Sequence, residues 1–209
     1  MISKRLVVLT LIGVMLSGCA AMSEEECRYS DWTAVGYEDG ADGRSSDRFG
    51  DYSRACADHS ITPDFQAWQE GREQGLIEYC QPLRGFQVGE SGGYYDGACN
   101  SNLEPGFLDA FRLGSELYSL RSNLSAIDSR VEANTEAVQR IDSDVAEIES
   151  IIILDETTPL QRTQLLADMR EMSETKGELV LEAELLIEER TLADLALYEF
   201  EFAVIESGF

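Results

Sequence analysis

The sequence predicts a mainly α-helical protein in two parts: a small disulfide-stapled domain of helices and loops, then a long antiparallel helical hairpin. Three observations carry this. Cys27, Cys56, Cys80 and Cys99 all fall in the first half of the 209-residue chain. Apolar residues step by three and four along residues 117–152, which is the spacing of one helix face. A second run of the same kind begins after a break at residues 155–159.

At the N-terminus, Lys4 and Arg5 precede an apolar run over residues 6–15, and Leu16-Ser17-Gly18-Cys19 follows. A basic head, a short apolar stretch and small residues make the layout of a secretory signal. The run is about ten residues, half of the roughly 20 that a membrane-spanning helix needs. The tetrad ending in Cys19 resembles the lipobox of bacterial lipoproteins, where the signal is cut before the cysteine. That resemblance implies removal of residues 1–18, acylation of Cys19 and a tether over residues 19–26. It implies three acyl chains on the cysteine; each buried CH2 adds about 0.8 kcal/mol, and several chains hold where one does not. Ala20, rather than Asp, at the second mature position implies the outer membrane, on its periplasmic face. A cleaved signal without lipid would leave Cys19 as an odd thiol. Cys19 lies only eight residues before Cys27, so the stapled domain is expected close to the lipid.

The chain carries 40 acidic against 16 basic residues, a formal net charge of −24. The excess is spread over both halves. Such a surface repels phosphate backbones and anionic lipid, so nucleic acid is not an expected partner. Affinity for divalent cations or basic partners is one reading of the charge; solubility is the plainer one.

With Cys19 set aside, four cysteines remain. In an oxidising compartment they read as two disulfides, with three possible pairings. Cys27–Cys56 with Cys80–Cys99 is preferred, because each closes one segment of moderate length; chain-entropy estimates give about 3–4 kcal/mol per loop of that size. A metal site using Cys56 and His59 is the alternative. The chain has no Cys-x-x-Cys pair and one histidine, whereas zinc sites show tighter spacing. No metal and no cofactor is expected.

Residues 27–106 form the stapled domain. Trp32, Gly36 and Gly40 recur loosely as Trp68, Gly71 and Gly75, and again as Phe111 and Gly114. These intervals put an aromatic and small residues on one helix face, where another backbone can come close. A helix is expected over residues 63–79, with Thr62 as N-cap and Pro63 first. Residues 31–42 are a weaker helix, since each interior glycine costs about 1 kcal/mol against alanine. Residues 43–60 read as a polar loop, and residues 81–104 as irregular, glycine-rich chain. Asp39, Asp42 and Asp47 do not match an EF-hand loop and read as solvated loop carboxylates.

Cys27, Asp31-Trp32, Gly36-Tyr37-Glu38-Asp39-Gly40 and Gly43-Arg44 open an ordered set of motifs. Ala55-Cys56-Ala57-Asp58-His59 follows, then Gly71, Gly75-Leu76, Tyr79-Cys80, Gly85-Phe86, Gly89 and Tyr95-Asp96-Gly97-Ala98-Cys99. This set resembles a family of Gram-negative lipoproteins known as domain of unknown function 2799. The resemblance covers residues 27–117. It implies a domain and no chemistry, and the long C-terminal extension departs from the family's shorter members.

The extension, residues 107–209, reads as the hairpin. Leu117, Leu120, Leu124, Ile127 and Val131 begin a heptad repeat that reaches Ile152, with Asn134 its one polar member. Asn134 reads either as a register-fixing residue or as a tolerated solvent-facing one. Thr158, Pro159 and Gln161 supply a capping box and a first-turn proline for the second arm. That arm, expected to end near Val204, presents Leu165, Met169, Met172, Leu179, Ala183, Leu186, Ala193 and Leu197. Folding about residues 156 and 157 opposes Ile148 to Leu165, Asn134 to Leu179, Ile127 to Leu186 and Leu117 to Leu197, giving arms of about 60 Å. Arg190 falls near Leu124, where looser packing is expected. The apolar end of the second arm, from Leu192 to Ile205, is too wide for one seam. It is expected to dock beside Phe107, Phe111 and Leu113, or else to bind a copy of the chain or a partner.

The function expected from these features is that of a non-enzymatic, membrane-anchored envelope lipoprotein. Its hairpin would be a spacer, adaptor or oligomerisation element, and its partners the membrane through the anchor and a protein or a second copy through the hairpin. A cell-wall enzyme is the alternative, needing two carboxyls about 5–10 Å apart; a divalent-cation binder is another. The chain has no P-loop, nucleophile elbow or zinc motif, and a Cys-His nucleophile does not suit an oxidising compartment.

Overall fold

The computed structural model describes residues 22–209, so the signal segment and Cys19 lie outside the described residues. Seven helices and no strand occur among the described residues: α1 Glu24–Tyr29, α2 Trp32–Ala41, α3 Arg48–Ala57, α4 Phe65–Tyr79, α5 Pro82–Glu90, α6 Glu104–Ile152 and α7 Pro159–Ser207. The mainly α reading, a stapled helical region followed by a hairpin of two long helices, holds. The chain divides into two compact units. The first holds the described residues through Gly85 together with Tyr95–Leu108, and the second holds Phe86–Tyr94 with Asp109–Phe209.

In the first unit, disulfides join Cys27 to Cys56 and Cys80 to Cys99, with Cα–Cα distances of 5.6 and 5.7 Å. The first lies in a core with Trp32 and Trp68, packed against Val35, Phe49 and Tyr52. Helix α2 starts where Asp31 accepts from the Thr33 and Ala34 amides. Helix α4 starts later than expected. Asp64, not Thr62, is its N-cap, accepting from the Ala67 amide at 3.0 Å, and a carboxylate at that position satisfies a first-turn donor and faces the helix dipole. Residues 48–57 are not a loop. Phe49, Tyr52 and Cys56 share a helical face there, and burying it against Trp32 and Trp68 outweighs the polar composition. Residues 82–90 are likewise helical, because Gly85 and Gly89 serve as contact points.

Those contacts follow one plan used twice. Helices α2 and α4 touch backbone to backbone: a Cβ on Gly36 would strike the Trp68 carbonyl, and one on Gly40 that of Arg72. From the other side, a Cβ on Gly71 would strike the Thr33 carbonyl, and one on Gly75 that of Tyr37. In the first unit Gly85 meets the Phe107 carbonyl in the same way; in the second, Gly89 meets that of Phe111 and Gly114 that of Phe86. The correspondence is residue for residue. Gly36, Tyr37, Gly40 and Gly43 match Gly85, Phe86, Gly89 and Gly92, and Trp68, Arg72, Gly75 and Tyr79 match Phe107, Phe111, Gly114 and Tyr118. In both copies a tyrosine ring closes over a left-handed glycine, Tyr79 over Gly43 and Tyr118 over Gly92, each glycine at φ 71°. Each copy also places one half-cystine before each of its two helices. The aromatic–glycine repetition is thus two tandem helix pairs, not three single helices.

In the second unit the hairpin seam follows the expected stripe. Leu117 and Ile127 are buried, the other stripe positions on α6 are partly covered, and nearly all residues between them are exposed. Ile127 and Leu186, opposed in the expected register, are each 2 % exposed. Arg130–Glu182 at 2.8 Å and Asp128–Arg190 at 2.5 Å bridge the arms beside them, and Lys176 pairs with Asp142. Thr158 and Gln161 form the capping box of α7. That helix runs on to Ser207 and stops at Gly208, which is left-handed.

Candidate functional site

Asp39 is the one polar residue buried among the described residues, at 8 % exposure. It stands on α2 facing α4 and α3. The Trp68 indole Nε1–H donates to its Oδ2 at 2.8 Å, and the Tyr52 hydroxyl donates to its Oδ1 at 3.1 Å. Arg48 Nε lies 4.0 Å from Oδ1, and its guanidinium sits 5.0 Å above the Tyr52 ring. Burial pushes the Tyr52 phenol up, and the neighbouring Asp39 charge adds to this. The arrangement ties three helices together through one carboxylate, so Asp39 is not the solvated loop residue expected from sequence. Asp42 and Asp47 flank helices, at the C-terminal end of α2 and before α3.

Cys56 is held in its disulfide, and His59 instead reaches the Met22 carbonyl through Nε2 at 3.2 Å, a contact in which the ring nitrogen donates. No group of three or more His, Cys, Asp or Glu placed to hold a metal ion occurs among the described residues. No helix among them is long and apolar enough to cross a membrane.

Two exposed apolar surfaces stand out in the second unit. At the hairpin tip, Ile152, Ile153, Leu166 and Met169 line an open groove of about 580 Å³. The other surface lies along α7. The apolar end expected to dock does so by half: Leu197, Phe200 and Val204 pack with Phe86, Ala110, Leu113 and Leu117, and Phe209 stacks on Phe86 at 5.1 Å. The remaining half stays in water. Leu181, Leu185, Leu192, Leu195, Tyr198, Phe202 and Ile205 are all exposed, Leu192 at 70 %. A groove of about 470 Å³ lies midway, lined by Leu192, Leu195 and Tyr198 with Asp194 and Glu201 at its edge. Sequence reasoning saw the excess of apolar residues there without separating the docked face from the free one.

Helix pairs, glycine contacts and both disulfides lie within or beside a single matched stretch. Residues 31–116 match the family described as "Protein of unknown function (DUF2799)". The DUF2799 region therefore includes the first copy of the glycine-contact plan, all of the second but Tyr118, and three of the four paired cysteines, and it ends before the heptads begin at Leu117. The buried Asp39 and its donor Trp68 are inside it; the exposed stripe of α7 is outside. No curated protein and no solved structure shows a significant match to the chain.

Proposed function

We propose that the protein is a non-enzymatic envelope lipoprotein, anchored through an acylated Cys19 at the periplasmic face of the outer membrane. The hairpin is its interaction element. One observation carries this reading: of five cysteines, four are joined in disulfides, and the fifth is the cysteine that ends Leu16-Ser17-Gly18-Cys19. Cysteine pairing supports an oxidising compartment, and the motif supports lipid on the remaining thiol. The interaction role is supported by a long hairpin that leaves one apolar stripe exposed. The buried carboxylate Asp39 is occupied by two donors, which favours a structural task for it over acid–base chemistry.

The test is metabolic labelling with an alkyne fatty acid, followed by mass spectrometry of the N-terminal peptide. The expected result is a processed chain beginning at an acylated Cys19 that fractionates with outer membrane. Cys19→Ala should release it to the soluble periplasm. An unlabelled protein, or one retained in membranes without Cys19, overturns the proposal.

A further inference from the structure

We infer that the outer face of α7 is a docking site for a cationic amphipathic helix of a partner protein. This deepens the interaction role proposed above by naming the class of partner. Helix α7 carries two apolar stripes. One closes the hairpin through residues such as Leu186, which is 2 % exposed. The other includes Leu195, nine residues further on, which is about two and a half turns and so on the opposite side of the helix. This second stripe runs in steps of three and four from Leu181 to Ile205, about 36 Å along the axis, broken at Glu188. The opposing arm has no counterpart: the outward positions of α6 facing solvent over the same length include Ser125, Ser129 and Glu132, while Arg121 turns to Glu201 of α7 at 2.8 Å.

An exposed apolar stripe of this length marks an interaction surface, and helical spacing fits it to another helix laid alongside. Charge selects the occupant. Residues 177–209 contain nine Asp and Glu and a single basic residue, Arg190, which is engaged by Asp128 at 2.5 Å. Glu184, Glu188 and Glu199 border or interrupt the stripe. A second copy would bring two such acidic faces together, and anionic lipid would meet the same repulsion. A partner helix with an apolar stripe edged by Lys and Arg gains both the burial and the charge pairing. The groove between Leu192, Leu195 and Tyr198 takes its central anchor side chain.

The test uses the full chain carrying Cys19→Ala, so it does not depend on the anchor. The probes are two synthetic helical peptides with the same leucine heptads, one flanked by lysine and one by glutamate. Fluorescence anisotropy should show at least about tenfold tighter binding of the lysine peptide, weakening as salt screens the flanks. Leu192→Asp with Leu195→Asp should reduce that binding at least about tenfold while circular dichroism and Tm stay unchanged, since both side chains are exposed. Glu188→Lys with Glu199→Lys should shift preference toward the glutamate peptide. Equal binding of the two peptides overturns the inference, as does indifference to the leucine changes. Two other results reassign the face and also overturn it: a dimer in sedimentation velocity that the leucine changes dissolve, or binding to zwitterionic vesicles that they abolish.

Discussion

The backbone of Gly71 lies against the carbonyl of Thr33, with no room for a side chain between them. The neighbour is main chain on a packed helix, so it cannot swing aside. Gly71→Ala is therefore expected to lower stability, by about 1–3 kcal/mol or more, as overpacking does. Gly36→Ala should act alike, because its Cβ would strike the Trp68 carbonyl. Gly177 gives the contrast: it sits inside α7 with nothing near a Cβ. There Gly→Ala should raise stability by about 0.5–1 kcal/mol through helix propensity alone. Urea denaturation followed by circular dichroism measures all three. A neutral Gly71→Ala would mean that the close crossing of α2 and α4 is wrong.

Asp39 offers a second measurement. Removing its carboxylate with Asp39→Ala leaves the buried Trp68 Nε1–H without its acceptor, which is expected to cost about 1–3 kcal/mol. Asp39→Asn keeps an acceptor for one of the two donors and should fall between. Tryptophan fluorescence across a denaturant series reads both variants. Equal midpoints for wild type and Asp39→Ala would remove Asp39 from the role of a three-helix tie.

Much of this fold was legible in the sequence, and the parts that were not share a cause. The hairpin is a repeating pattern over many turns, so the stripe from Leu117 to Ile152, the Thr158 cap and the opposition of Ile127 to Leu186 all follow from spacing alone. The stapled region has no such redundancy. In α3 only Phe49, Tyr52 and Cys56 mark the buried face, and their partners Trp32 and Trp68 lie far away in sequence. In α5 the glycines that normally argue against a helix are what let it form, because their value appears only once the facing backbone is in place. Asp39 was read as solvated for the same reason: its donors come from Tyr52 and Trp68, on two other helices. Of the exposed apolar stripe on α7, the excess at residues 192–205 was visible, but its extension back to Leu181 needed the hairpin face of α7 to be known first.

The phenol of Tyr95 gives a prediction at high pH. Its hydroxyl donates to Glu104 at 2.9 Å and accepts from the Cys99 amide at 3.1 Å. Burial pushes it up to about 12; the Cys99 amide opposes this and Glu104 adds to it. An unfolded tyrosine loses its proton near pH 10. Between those values the folded chain holds a proton that the unfolded chain has released, so stability is full below about pH 10 and falls as pH rises toward 12. Absorbance titration near 295 nm should show a phenol ionising about two units late, and Tyr95→Phe should remove that step. The same variant should flatten the decline in Tm above pH 10. A wild-type titration with no late step would contradict this environment for Tyr95.

Asn134 occupies a seam position of α6 where Val131 and Val138 are its neighbours along the stripe. It is partly covered, so it is not the solvent-facing residue that one reading of the sequence allowed. Its Nδ2 is buried and makes no hydrogen bond of ordinary geometry. Glu182 stands nearby, and its carboxyl is drawn below the usual range by the Arg130 guanidinium first and by the Asn134 amide second. Proximity without a well-formed bond leaves much of the amide's desolvation uncompensated. Register does not depend on Asn134 alone, because the Asp128–Arg190 and Asp142–Lys176 pairs also join the two arms. Asn134→Val is therefore expected to stabilise the hairpin by about 1 kcal/mol, seen as a higher thermal midpoint with unchanged helicity. Hydrogen exchange should slow at amides on both arms around residues 130–138 and 178–186. If the midpoint falls instead, or exchange reveals a shifted pairing, then Asn134 is a register-setting residue of the kind known in coiled coils, and its buried amide is retained for specificity at the expense of stability.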